Sequence, residues 1–341
     1  MYLFWCQESE LQMMLRKDWS TSVLFAVSAK ARKAFRNVLH EEHTSGFRAE
    51  AMLMASRTLV LQSLRNIRYS ILLTRKIMAE IHPTVVIAPR AELSAGVTVG
   101  PYTVIENDVF IGPDCDIGAH TVIKQFTRLG ARNRVAEHAV LGGLPQDVKF
   151  RGETTYLEIG DDNLIREFCT LHRACGENSI TRIGARNFLM VGIHIAHNCN
   201  IGDDNIFANG VALAGHINVE DHAFLSSNVG CHQFVNIGRY AMVGGKSKIV
   251  QDILPFFTTN GNPARVRGLN SVGLRRAGFT AAERRNLKHA YQLLLRSGLS
   301  LAEALTQMAT LDDVHVNHLI GFIRNSQRGI TRRQNPKSGG D

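Results

Sequence analysis

From Val85 onward the sequence repeats every six residues. Written as hexads it begins VVIAPR AELSAG VTVGPY TVIEND VFIGPD CDIGAH, and the third position is aliphatic each time. That slot runs unbroken from Ile87 to Leu141, returns at Ile159, Ile165 and Leu171, and continues from Ile183 to Ile249. All twenty-five slots hold Ile, Leu, Val, Phe or Cys, so the period is not chance. No α-helix repeats every six residues, and a plain strand repeats every two. A hexapeptide period is the sign of a parallel β-helix. Each hexad supplies a short strand and a corner, and three hexads close one triangular coil. Successive coils stack at the spacing of paired strands, about 4.8 Å. The apolar slot points inward, and the Gly, Asn or Asp that follows it turns the corner.

The period breaks twice, at Pro145 and near Gly176, and stops after Asn262-Pro263. Breaks in such a solenoid are excursions over one of its faces. The first, LPQDVKFRGE from Leu144 to Glu153, is charged and positioned to close over a ligand. Beyond the repeat, Thr280-Ala281-Ala282-Glu283 and Ser300-Leu301-Ala302-Glu303 are capping boxes that open helices. The first of these helices extends through Leu295, with Leu287, Ala290 and Leu294 on one face, and a further helix fits Val314 to Asn325. The expected architecture is mainly β: a β-helix over 78–266, an α-helical domain over 267–331, and a disordered tail over 332–341.

Residues 1–77 share none of this periodicity. From Met52 to Lys76 there are five basic residues and no acidic ones. The segment reads either as an organellar transit peptide or as translation upstream of a true start at Met78, and it is excluded from fold reasoning.

The net charge of +9 on 341 residues invites a nucleic-acid reading, but its distribution argues against one. Residues 1–77 carry +6, residues 78–266 carry −4 and residues 267–341 carry +7. A basic C-terminal segment beside a mildly acidic body suits an acidic protein partner. No interleaving of basic and aromatic residues of the kind that binds single strands is present, so no nucleic-acid partner is expected. The six cysteines have no CxxC spacing, which argues against a disulfide framework and suits a reducing compartment. No apolar run is long enough for a transmembrane helix.

The chemistry concentrates in GIHIAHNCNIG, from Gly192 to Gly202. One coil beyond His197 lies Gly215, whose N–H has no side chain beside it. A base and a backbone donor one coil apart can flank a tetrahedral carbon. His194 precedes the pair, His216 follows Gly215, and His232-Gln233 comes one coil later. A zinc site is the main rival for the two histidines, yet the helical zinc motif needs a helix and a carboxylate. Three histidines from neighbouring coils or subunits remain an alternative ligand set. Solvated turn histidines are the plain alternative. No convergent acidic pair supports a carboxylate-based hydrolase.

Taken together, HIAHNC, LAGH (Leu213 to His216), CHQF (Cys231 to Phe234), MVGG (Met242 to Gly245), QDVKFRGE, IREFCTLHR (Ile165 to Arg173) and GLNSVGLRRAGF (Gly268 to Phe279) resemble one family. It is the acyl-carrier-protein-dependent UDP-N-acetylglucosamine O-acyltransferases of lipid A synthesis, and the resemblance spans about residues 79–330. It implies a left-handed β-helix, a homotrimer with active sites between subunits, and a helical domain that helps bind acyl carrier protein. It implies no cofactor beyond the carrier-protein thioester. By resemblance His197 is the general base, Gly215 N–H the oxyanion donor, and Asn198 the residue behind the base. Asp147, Lys149, His172, His194, His216, His232 and Gln233 match contacts to the sugar nucleotide or acyl hydroxyl. Asn270 and Arg276 match nucleotide contacts, and Met242 and Gly245 the region that gauges acyl length. The chain departs from the family at Asn198, where many members have Asp, at Val272, often acidic, and at Ala277, often Arg.

Four other readings compete. The N-acyltransferase of the same pathway would carry an N-terminal uridine-binding domain, for which residues 1–77 lack a βα pattern. A coenzyme A-dependent acetyltransferase would lack GLRRAGF and the helical tail. A γ-type zinc carbonic anhydrase would carry stoichiometric, activity-linked zinc, and a non-catalytic scaffold would be indifferent to His197→Ala. The expected compartment is the cytoplasm, or an organelle if residues 1–77 are a transit peptide.

Overall fold

The computed structural model describes residues 80–331. The expectations about residues 1–77 and 332–341 lie outside the described residues.

Twenty-six short strands, β1 (Glu80–Ile81) to β26 (Lys248–Ile249), follow one another at corners and stack into three parallel sheets. The register gives the coil: Val86 faces Val104, which faces Val122, so one turn is three hexads. The apolar slot is the second residue of each two-residue strand and is buried from β4 (Thr98–Val99) onward, as at Ile105, Ile123, Leu171, Ile195 and Leu213. The chain is a left-handed parallel β-helix.

Two features of the coil were not anticipated. The corner falls two and three residues after the slot, and its second residue is left-handed: Tyr102, His120, Asn198 and His216 have φ of 57–58°. Asn, Asp and His tolerate this region better than most residues. Asn200 is the first residue of strand β18 (Asn200–Ile201). A second inward row also exists, two residues before the slot. It holds Val97, Val109, Cys115, Ile193, Cys199 and Ile217, all buried. On one corner this row becomes a buried asparagine ladder. Asn163 donates from N and Nδ2 to Asn133 Oδ1 at 2.9 and 3.0 Å. Asn187 repeats both bonds to Asn163 Oδ1 at the same distances. The ladder satisfies buried amides coil after coil.

The two breaks are visible in the register. Arg134 pairs with Leu164, so that turn takes five hexads in place of three. Thr170 pairs with His194, a turn of four hexads. The first excursion therefore adds two hexads and the second adds one. Both leave the solenoid near strands β11 (Val140–Gly143), β12 (Tyr156–Ile159), β14 (Thr170–His172) and β15 (Ile180–Ile183).

Strand β27 (Phe257–Asn260) adds to the first sheet and pairs antiparallel with β28 (Arg265–Leu269). This hairpin straddles the boundary expected at 266. Four helices follow: α1 (Ser271–Arg276), α2 (Ala281–Leu295), α3 (Leu301–Ala309) and α4 (Val314–Asn325). Both capping boxes form as expected. The short α1 was not anticipated. Leu254, Phe256, Phe257, Leu274, Leu287, Met308, Leu319 and Ile330 build a second core joining the last coil to the helices. No helix among the described residues is long and apolar enough to cross a membrane.

Candidate active site

His197 and Asn198 occupy the corner after β17 (His194–Ile195), and Gly215 the corner after β20 (Ala212–Leu213). The stacking of β17 on β20 brings them together. The contact is close: a Cβ on Gly215 would lie 2.6 Å from His197 Cε1 and 2.7 Å from Nε2. Glycine is therefore dictated by the imidazole beside it, not by backbone conformation. His197 is 6% exposed, and Gly215 N–H has no acceptor among the described residues.

The orientation of the imidazole is fixed from behind. Cys175 N–H donates to Asn198 Oδ1 at 2.9 Å, and Asn198 Nδ2 donates to Cys175 O at 3.0 Å. A backbone carbonyl only accepts and a backbone N–H only donates, so this pair decides which amide atom is oxygen. That oxygen lies 2.8 Å from His197 Nδ1. Nδ1 must then carry the proton, which leaves the lone pair on Nε2. On that side Asp147 Oδ2 stands 3.7 Å away, brought by the first excursion. Asp147 Oδ1 accepts from Lys149 N–H at 2.8 Å, a turn that shapes the loop.

The surrounding histidines form a packed set. His216 meets the His197 ring edge-on at 5.3 Å between centroids and stacks on Phe234 at 4.7 Å. His172 meets His194 edge-on at 5.0 Å. His172 Nδ1–H donates to Leu144 O at 2.7 Å, and His194 Nδ1 shares a hydrogen bond with Thr170 Oγ1 at 2.9 Å. Burial lowers the pKa of His172, His194 and His216, and neighbouring imidazoles add to it. These rings are thus favoured in their neutral form.

A groove of about 540 Å³ opens beside His197. Its floor is the outer face of the second sheet, where His194, Ala212, Gly230 and Lys248 stand in one register row. Ala212 and Gly230 keep that floor shallow, and Gly215, His232 and Gln233 complete the wall near the base. Among the described residues no three His, Cys, Asp or Glu side chains converge to hold a metal ion.

The structure therefore gathers His194, His197, Asn198, Gly215, His216, His232, Gln233, His172, Asp147 and Lys149 around one corner. It does not bring the remaining expected residues into this groove. Met242 lies in β25 (Met242–Val243) of the first sheet, and Gly245 turns the corner after it. Asn270 is the N-cap of α1: its Oδ1 accepts from Gly273 N–H at 3.1 Å and its Nδ2 donates to Tyr240 O at 2.9 Å. Its amide joins that helix to the corner that bears Tyr240. Arg276 is exposed in the last turn of α1. Sequence reasoning missed Cys175 and Glu153, because they reach the site through the two excursions, where the period offers no register.

Known proteins decide the family. A curated relative from Verminephrobacter eiseniae, an acyl-[acyl-carrier-protein]–UDP-N-acetylglucosamine O-acyltransferase, is 47% identical over 262 residues, 75% of this chain and 100% of its own length. The chain belongs to the UDP-N-acetylglucosamine O-acyltransferase family. The family's second-domain model, "Udp N-acetylglucosamine O-acyltransferase; Domain 2", matches residues 252–331. The crystal structure of the family member from Moraxella catarrhalis is 42% identical, with a TM-score of 0.71 over 74% of this chain and 99% of that one. The Francisella novicida UDP-N-acetylglucosamine acyltransferase is 34% identical, with a TM-score of 0.73 over 75% and 95%. The chain is an acyltransferase of this family.

Proposed function

We propose that the chain transfers a 3-hydroxyacyl group from acyl carrier protein to the 3-hydroxyl of UDP-N-acetylglucosamine, the first step of lipid A biosynthesis. The reading rests on the juxtaposition of His197 Nε2 with Gly215. His197 Nε2, kept as the free lone pair by Asn198, takes the proton from the sugar hydroxyl. The alkoxide attacks the thioester carbonyl, and the oxyanion of the tetrahedral intermediate accepts from Gly215 N–H. Collapse expels the carrier's thiolate, which recovers the proton from the imidazolium. Asp147, 3.7 Å from Nε2, favours the imidazolium while it lasts.

The neutral histidines His172, His194 and His216, together with His232, Gln233 and Lys149, supply hydrogen bonds to the sugar nucleotide and the acyl hydroxyl. Arg276 supplies a phosphate contact. Met242 and Gly245, on the first sheet and the corner after it, gauge the acyl chain. Asn270 acts by capping α1, which presents Arg276. Exposed Arg275, Arg276, Arg285 and Lys288 make the start of the helical region basic, which suits an acidic carrier protein. A homotrimer would cover the groove with a neighbouring subunit. The cytoplasm, or an organelle served by residues 1–77, supplies both substrates.

Purified protein is to be assayed with 3-hydroxyacyl carrier proteins of several chain lengths, against UDP-N-acetylglucosamine and its 3-amino analogue. His197→Ala is expected to lower kcat by about 10³-fold with assembly unchanged. Wild-type turnover retained by His197→Ala would reject this mechanism.

A further inference from the structure

The residue behind His197 is a neutral amide, Asn198. An amide orients the imidazole but stabilises its cation less than an anion would. The nearest anion on that side is one step further out. Glu153, at the end of the first excursion, accepts through Oε1 from Gly176 N–H at 2.9 Å. The same peptide group presents its carbonyl, Cys175 O, to Asn198 Nδ2 at 3.0 Å. The amide of Asn198 presents Oδ1 to His197 Nδ1–H at 2.8 Å. One continuous chain thus runs from the Glu153 carboxylate through a peptide and a side-chain amide to the imidazole.

All three bonds point the same way. The carboxylate draws on Gly176 N–H, which makes Cys175 O a stronger acceptor. That carbonyl draws on Asn198 Nδ2–H, which makes Oδ1 a stronger acceptor for Nδ1–H. Hydrogen bonds in series polarise one another in this manner. No proton moves along the chain; only charge is displaced.

We infer that Glu153 is a positioning residue that supplies, through Cys175 and Asn198, the negative charge missing behind the base His197. The carboxylate is suited to this. The N–H groups of Gly176 and Arg151 hold its pKa well down, at about 2, so it stays ionised through the working range. The inference explains why two breaks in the repeat occur together: one brings Glu153 and Asp147, the other brings the peptide between Cys175 and Gly176. It also explains Asn198. A carboxylate there would set an oxygen 3.0 Å from Cys175 O with no proton between them.

The inference rests on the reading of His197 as the base, so the tests separate the two. Other charges face the same groups and stay constant in the comparison. Asp147, His172 and His216 face His197, Lys149 faces His216, and Arg151, Arg173 and Cys175 surround Glu153. In the full-length wild type, His197 is titrated by NMR while the Gly176 amide and Asn198 side-chain protons are followed. Both are expected to move downfield in step with His197. A Gly176 amide indifferent to that titration overturns the inference, whether or not acyl transfer is seen.

Glu153→Gln keeps the size and an acceptor oxygen but removes the charge. The expected result is a kcat lowered about five-fold, an acceptor KM little changed, and an acidic limb of kcat/KM moved down by about 0.5 in pH. Glu153→Asp is expected to restore the limb in part. Added to Asn198→Ala, Glu153→Gln is expected to have little further effect, because the chain is already cut. Additive losses, or a Glu153→Gln enzyme with the wild-type pH profile, overturn the inference. A wild type inert in acyl transfer would reject the proposed function instead, and the NMR titration would still decide this point.

Discussion

At the scale of single residues, the tightest constraint is the one between Gly215 and His197. The Gly215 backbone is not left-handed, so an alanine there meets no conformational penalty of its own. Its Cβ would meet the imidazole at 2.6 Å, and Asn198 holds that ring from the other side. Something must move, and the freest element is the ring. Gly215→Ala is therefore expected to lower kcat by about 10²-fold or more while thermal stability changes little. Loss of the fold instead would place the glycine's role in packing. The spacing of this pair was legible in the sequence, because it is one turn of the period. The partner of Asn198 was not. Cys175 sits 23 residues away, across an excursion whose length no repeat specifies.

At the scale of elements, the repeat foretold where strands would lie but not what the second inward row would hold. That row looks irregular in sequence, mixing Val, Cys, Ala, Thr and Asn, and only stacking shows that its asparagines are in line. Asn163 donates from Nδ2 to Asn133 Oδ1, Gly160 O and Gly184 O, and accepts from Asn187. Asn163→Ala would leave several of those buried groups unpaired. A loss of about 2–4 kcal/mol is expected in denaturant unfolding, against under about 1 kcal/mol for an exposed strand position such as Asn218→Ala. The histidines around the groove make a different prediction. Folding depresses the pKa values of His172, His194 and His216. The unfolded chain then binds more protons below about pH 6.5, so these groups stabilise the fold above that pH and cease to as pH falls through their folded values. The melting temperature is expected to drop between pH 7.5 and 5.5, and His194→Gln is expected to make that drop smaller. An unchanged pH dependence in the variant would remove His194 from the account.

At the scale of the whole molecule, the solenoid and the helices are one body with a shared second core, although the end of the repeat suggested a boundary at 266. The hairpin β27–β28 crosses that boundary, and the chain returns from α4 to the last coil. Asp252 is the fastening. It is fully buried, and its Oδ1 accepts from Asn236 N–H at 2.7 Å. Its Oδ2 accepts from Ser326 Oγ at 2.6 Å, and its backbone N–H donates to Gly329 O while its carbonyl accepts from Thr331 N–H. One side chain therefore ties the end of the β-helix to the segment beyond α4. The link was invisible in the sequence because 74 residues separate its two ends. Asp252→Ala would leave Ser326 and Asn236, both partly buried, without that partner. A loss of about 2–3 kcal/mol is expected, with the added consequence that the region after α4 becomes the first site of limited proteolysis. Because Ile330 and the helices share their core with Leu254 and Phe257, release of this segment should also loosen α1, which carries Arg276. The variant's KM for the nucleotide acceptor should then rise more than its kcat falls. A destabilised Asp252→Ala enzyme with unchanged KM would show that the helical region holds its place without this fastening.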